Sequence, residues 1–115
     1  MTQERREHTR LKVRVPVELR TEACETPIRF ETADLSLSGC YIEMMFTLEV
    51  GTELDMTLQI GDSTLLAIGN VVTCDRNVGN GVRFTRMLPE DREELDHFLH
   101  GVEAEQKMDI PPDGE

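Results

Sequence analysis

From Leu11 the chain alternates strictly. Leu11, Val13, Val15, Val17 and Leu19 fall on one side, while Lys12, Arg14, Pro16, Glu18 and Arg20 fall on the other. Period-two alternation predicts a strand with one buried face. Pro16 has no N–H to give to a ladder, so this strand is expected at a sheet edge or with a bulge. After the loop residues "EACETP" (22–27), Ile28, Phe30 and Thr32 start a second strand. "DLSLSG" (34–39) is a cluster of turn formers, and "CYIEMMF" (40–46) reads as a third strand. Leu54, Met56, Leu58 and Ile60 alternate with Glu53, Asp55, Thr57 and Gln59 in a fourth. Gly61-Asp62 is a two-residue hairpin signal. The long run "STLLAIGNVVTC" (63–74) follows, with Gly69 marking a bend or bulge. "NVGN" (77–80) turns the chain into "GVRF" (81–84).

The period then changes. Pro89 suits the first helical turn, and Glu90, Asp91, Glu93 and Glu94 suit the positive helix N-terminus. Leu95, Phe98, Leu99 and Val102 form one apolar stripe. Six short strands and one amphipathic helix predict an all-β fold with a C-terminal helix, namely a six-stranded antiparallel β-barrel plugged or flanked by that helix. Residues 1–10 hold no Leu, Ile, Val or Phe, and so are expected to form a flexible basic arm. Residues 11–108 form the barrel and helix, and "DIPPDGE" (109–115) a disordered tail.

Charge adds a second pattern. The chain has 115 residues and a formal net charge of -11, yet its first twenty residues carry six Lys or Arg against three Glu. From Pro89 onward ten acids face only Arg92 and Lys107. Such sorting points to a partner that reads the basic arm. The acidic total argues against general nucleic-acid binding, which needs a broad basic footprint, but leaves room for a small anionic ligand held by a few arginines. The arm alone is also compatible with a tail that touches RNA. Cys24, Cys40 and Cys74 are odd in number and widely spaced. They predict core or surface thiols rather than disulfides or a zinc site. No apolar run is long enough for a membrane span and no signal-peptide core follows the N-terminal charges, so a cytoplasmic protein is expected.

Candidate chemistry is sparse. Arg6 and Arg10 are four apart, and guanidinium forks bind phosphate or the guanine O6/N7 edge bidentately. Asp34 and Ser36, alternate residues on a strand, are expected on one face, with Gly39 allowing close backbone approach. Taken alone, Asp34-x-Ser36-x-x-Gly39 also reads as an Asx or ST turn. Ser36 has no His and acid partner at recognisable spacing, so no enzyme is expected. His97 and His100 lack a third metal ligand, and Met44, Met45 and Met56 read as core filler.

Together, "RREHTR", "DLSLSG" and "GNGVRF" resemble the PilZ domain family, bacterial receptors for cyclic di-GMP. The resemblance covers most of residues 5–102. It implies a six-stranded barrel with a terminal helix, no cofactor, cyclic di-GMP as ligand and a downstream protein partner. It further implies that Arg6 and Arg10 grip phosphates and guanine edges, and that Asp34, Ser36 and Gly39 line a guanine pocket. Arg5 stands where an Arg in the family accompanies an intercalated pair of ligands. Arg83 is a weaker candidate, since alternation puts Val82 and Phe84 inside and Arg83 outside. Many relatives have Gly-Gly where this chain has Ser38-Gly39. Two rivals remain: a PilZ-like adaptor that has lost its ligand, and a small RNA-binding barrel. The intact motifs speak against the first. Scarce aromatics (four Phe, one Tyr, no Trp) weigh against the second, because base stacking needs exposed rings.

Overall fold

The computed structural model describes residues 9–22 and 26–108. Six strands, β1 (Pro16–Arg20), β2 (Ile28–Leu35), β3 (Gly39–Glu43), β4 (Glu53–Ile60), β5 (Ser63–Asp75) and β6 (Gly79–Met87), precede one helix, α1 (Pro89–Met108). All pairings are antiparallel, and the order β1-β2-β3-β6-β5-β4 closes into a barrel. Closure removes the exposed edges that an open sheet would leave. The expected fold class is thus the observed one. Arg5, Arg6, Cys24 and the expected tail at 109–115 lie outside the described residues.

The alternating residues fill the barrel. Val17, Leu19, Leu54, Met56, Leu58, Ile60, Leu65 and Val71 are all buried, and Leu95 and Leu99 of α1 join the same core. Phe98 and Val102 pack against it half-buried. The helix lies across one end of the barrel. Asp91 Oδ2 accepts from Leu66 N at 3.2 Å and Glu94 Oε2 from Ser63 Oγ at 3.2 Å. Arg92 Nη1 reaches Leu37 O at 3.5 Å, and Gln106 Nε2 donates to Lys12 O at 2.8 Å. Those contacts touch the β4–β5 hairpin, the β2–β3 turn and the lead-in to β1, so all three sit at the helix end.

Some local expectations change. β1 is no edge strand: it pairs with both β2 and β4, and Pro16 is accommodated as its first residue. The alternation from Leu11 is real in burial but not in ladder. Leu11 makes an isolated bridge to Leu35, and Thr32, buried within β2, replaces the missing ladder bonds. Its Oγ1 donates to Val13 O at 2.7 Å and accepts from Val15 N at 3.0 Å. Gly61 supplies the positive φ (58°) of the β4–β5 hairpin. The register does shift beside Gly69, with Thr85 as the extra residue on β6. Asn77 (φ 65°) takes the strained position in the β5–β6 turn, and β6 runs longer than "GVRF" in both directions. Met44 and Met56 are core residues, but Met45 is 71% exposed, because it continues the outward parity of Tyr41 and Glu43 while Ile42 and Met44 point in.

Candidate functional site

The site begins with the bridge between Leu11 and Leu35. Leu11 N donates to Leu35 O at 3.0 Å and Leu35 N to Leu11 O at 2.9 Å. Burial of Leu11 beside these two bonds fastens the base of the arm to the end of β2. One residue before the bridge, Arg10 Nη1 meets Asp34 Oδ1 at 3.0 Å. Two motifs 24 residues apart are thereby joined through opposite charges.

Asp34 faces out because β2 is bulged. Between Thr32, opposite Ile42, and Asp34, opposite Tyr41, the register slips by one residue. An unbroken strand would put Asp34 on the inner face with Thr32; the extra residue re-aims it. Asp34 and Ser36 therefore do not share a face as alternation predicts. Asp34 is half-buried and paired outward, whereas Ser36 lies beyond the end of β2 and is 2% exposed.

Ser36 holds the turn. Its Oγ accepts from Ser38 N at 3.1 Å and Gly39 N at 3.2 Å, and its own N–H donates to Gly39 O at 2.8 Å. The hydroxyl lies 3.1 Å from Ser38 Oγ and 3.4 Å from Gly39 O. This is an ST-type turn, in which a side-chain oxygen replaces a backbone acceptor. Phe84 N, donating to Ser38 O at 2.8 Å, and Arg92 pin the same turn to β6 and to α1. Gly39 is required by packing: a Cβ there would overlap the Val82 carbonyl oxygen of β6. Its role here is close approach of two strands.

Arg83 sits opposite Gly39 on β6, exposed, and among the described residues no carboxylate pairs with it. The next row on the outer surface is Asp34, Tyr41 and Gly81 on β2, β3 and β6. Asp34, Gly39 and Arg83 thus stand on neighbouring strands, Arg10 joins them through its ion pair with Asp34, and Ser36 is buried in the turn between β2 and β3.

Tyr41 is the neighbour that sequence reasoning missed, although alternation from Gly39 would have put it outside with Glu43. Its hydroxyl donates to Asp75 Oδ2 at 2.7 Å. Partial burial, that hydrogen bond, and the charges of Asp75, Glu43 and Asp34 push its phenol up to about 12. Under the site, Cys40 is buried against Leu35 and Val82. Burial pushes its thiol up to about 12; Asp34 raises it further and Arg10 opposes. A thiol held neutral in this way is a core residue rather than a nucleophile. His97 and His100 are exposed on α1, and no metal-binding cluster of three occurs among the described residues. Among the described residues, no helix is long and apolar enough to cross a membrane.

The closed six-stranded barrel, with a helix across the end where an N-terminal arginine meets a bulge-borne aspartate, defines a class of domain. The PilZ domain family model matches residues 4–101, and this chain belongs to that family. Its fold is similar to that of the Bacillus subtilis inhibitor of motility (MotI/DgrA), with TM-score 0.76 and 13% identity over 94% of this chain and 54% of the other. The chain therefore spans about half the length of that protein. The PilZ domain of YcgR from Escherichia coli, solved with c-di-GMP, aligns with TM-score 0.74 and 16% identity, covering 94% and 100% of the two chains. The PilZ domain of CeSA from a cellulose-synthesizing bacterium gives 0.66 and 16%, covering 83% and 98%. At these identities the likeness is one of fold. Among curated proteins, none matches the sequence.

Proposed function

We propose that the chain is a cytoplasmic cyclic di-GMP receptor that performs no catalysis and passes ligand occupancy to a protein partner. The observation that carries this reading is the 3.0 Å contact between Arg10 and Asp34, which brings the arm motif and the turn motif of the family to one place. The family membership and the solved c-di-GMP complex of YcgR support the choice of ligand.

Without ligand, Asp34 compensates the Arg10 guanidinium. A cyclic dinucleotide offers phosphates to Arg10 and a guanine edge to both charged groups, so it exchanges one internal ion pair for several charge-assisted contacts. Ser36 acts indirectly, its hydroxyl keeping the turn that carries Gly39 in shape. Arg5 and Arg6 supply further guanidinium groups from residues 1–10, which close over the nucleotide as an arm on the barrel of 11–108. Arg83 borders the same surface from β6. Ordering the arm changes the surface presented to a partner.

Calorimetric titration with cyclic di-GMP, alongside cyclic di-AMP and GTP, tests the reading. Heat with cyclic di-GMP alone supports it. No heat with any of the three converts the protein into an adaptor that keeps the fold and works by protein contacts.

A further inference from the structure

The end of the barrel opposite α1 carries a surface of another kind. Between β3 and β4, residues 44–52 cross the barrel mouth, and three of them stand out in solvent: Met45 (71% exposed), Phe46 (87%) and Val50 (61%). Val72, the bulged residue of β5, and Val78, in the β5–β6 turn, are 49% and 59% exposed. Backbone bonds bring the two ends of this connection to the segments that carry the valines. Met44 N donates to Val78 O at 3.0 Å and Gly51 N to Val71 O at 2.8 Å, which lays the connection along β5 and its turn. Ile28, Leu66 and Leu88, the other large exposed apolar residues among those described, belong to separate elements. Singly exposed apolar residues are ordinary, whereas a contiguous group marks an interaction surface.

The connection is fastened from below. Asn80, fully buried in β6, accepts from Leu48 N at 2.8 Å and donates to Leu48 O at 2.9 Å and Thr73 O at 3.1 Å. With Met44, Leu48 and Gly51 all tied to β5, β6 and their turn, the backbone on either side of Phe46 is held, and the ring stands in solvent. An exposed aromatic side chain on a tied backbone suits an interface anchor, because less backbone freedom is left to lose on binding.

Charge selects the occupant. Glu43 and Asp75, both paired with Gly79, flank the group on one side, and Glu49 and Glu53 flank it on the other. Arg20 and Arg76 are basic residues at this end, and Arg29, which shares a groove with Glu43, is paired with Glu18 at 2.9 Å. A second copy docked about a two-fold axis would bring one carboxylate-rich rim against another, which opposes self-association. We propose that Met45, Phe46, Val50, Val72 and Val78 form a docking surface for a different protein that presents an apolar segment flanked by Lys or Arg. This goes beyond the ligand reading, and it is tested without nucleotide.

The probe is a short leucine–lysine amphipathic peptide, added to the isotopically labelled full chain and followed by NMR. Leucine–glutamate and serine–lysine peptides serve as controls. The expected result is saturable binding of the leucine–lysine peptide, with shifts concentrated in residues 43–53 and 72–79. Phe46→Ser, a change on the surface, should weaken it about tenfold or more while leaving the remaining spectrum in place. Glu49→Gln with Glu53→Gln should weaken it severalfold, most at low salt. Equal binding of the serine–lysine or leucine–glutamate peptide, shifts centred elsewhere, or an unchanged Phe46→Ser variant would overturn the proposal. Phe46-dependent dimerisation in sedimentation would overturn it too, by assigning the surface to a second copy.

Discussion

The two ends of β3, a strand of only five residues, solve the same problem and present opposite chemistry. At one end the chain leaves β2 through an irregular turn; at the other it leaves β3 through the long connection to β4. Each irregular segment is held by one buried polar side chain that bonds backbone groups: Ser36 at the first end and Asn80 at the second. Unpaired backbone groups are costly to bury, so a side chain that satisfies them defines the loop as firmly as a ladder would. What each end displays then differs. The Ser36 end shows Arg10 against Asp34, charges that compensate one another. The Asn80 end shows Met45, Phe46 and Val50, which nothing in the described chain covers. A charged site can be quieted internally by an ion pair; an exposed apolar one is quieted only by contact.

The largest expected effect breaks the first end alone. Gly39→Ala places a methyl group into the Val82 carbonyl, so β3 and β6 must separate. We expect a loss of about 3 kcal/mol in denaturant unfolding, together with loss of the cyclic di-GMP heat. Native stability in this variant would show that the strands can give way there at no cost. Asn80→Ala breaks the other end, orphaning Leu48 N, Leu48 O and Thr73 O. A cost of about 2 kcal/mol is expected in the same measurement, with cyclic di-GMP affinity retained. If affinity falls in step with stability, the two ends are not independent.

Arg10→Ala sharpens the contrast between stability and recognition. Its ion pair is partly solvated, so the free protein should unfold within about 0.5 kcal/mol of the parent. Cyclic di-GMP affinity, read by calorimetry, should fall by at least ~2 kcal/mol, the scale of a lost charge-assisted contact. Wild-type affinity would remove Arg10 from the site.

The smallest effect concerns Tyr41, which lies between the two ends and is the single tyrosine of the chain. Its phenol is raised from 10 to about 12, so the folded state holds the proton more tightly than the unfolded state. The resulting stabilisation is complete below about pH 10 and fades as pH climbs toward about 12. Phenolate absorbance should report the raised midpoint directly, and Asp75→Asn should bring it down toward the ordinary value. An unchanged midpoint in that variant would mean that the Asp75 contact contributes nothing to the shift.

Much of this architecture is legible along the chain, because alternation and helical periodicity are local consequences of where side chains point. Val17, Leu19, Leu54, Met56, Leu58 and Ile60 are all inside as their spacing requires, and Leu95 and Leu99 close the core as their stripe requires. The family is also legible, since its motifs are short strings of residue types. The aim of the site residues was decided elsewhere. Asp34 turns outward because β2 slips one residue against β3, and Phe46 stands in solvent, where the inward parity of Ile42 and Met44 would bury it, because β3 ends at Glu43. The ST turn at Ser36 is one reading that the turn formers of 34–39 offer, since its partners Ser38 and Gly39 are local; Asn80 does not advertise its role in sequence, for its partner Leu48 lies some 32 positions away and is delivered by pairing. Periodicity determines which residues are buried; register between strands, a property of two distant segments at once, determines what the remaining ones touch.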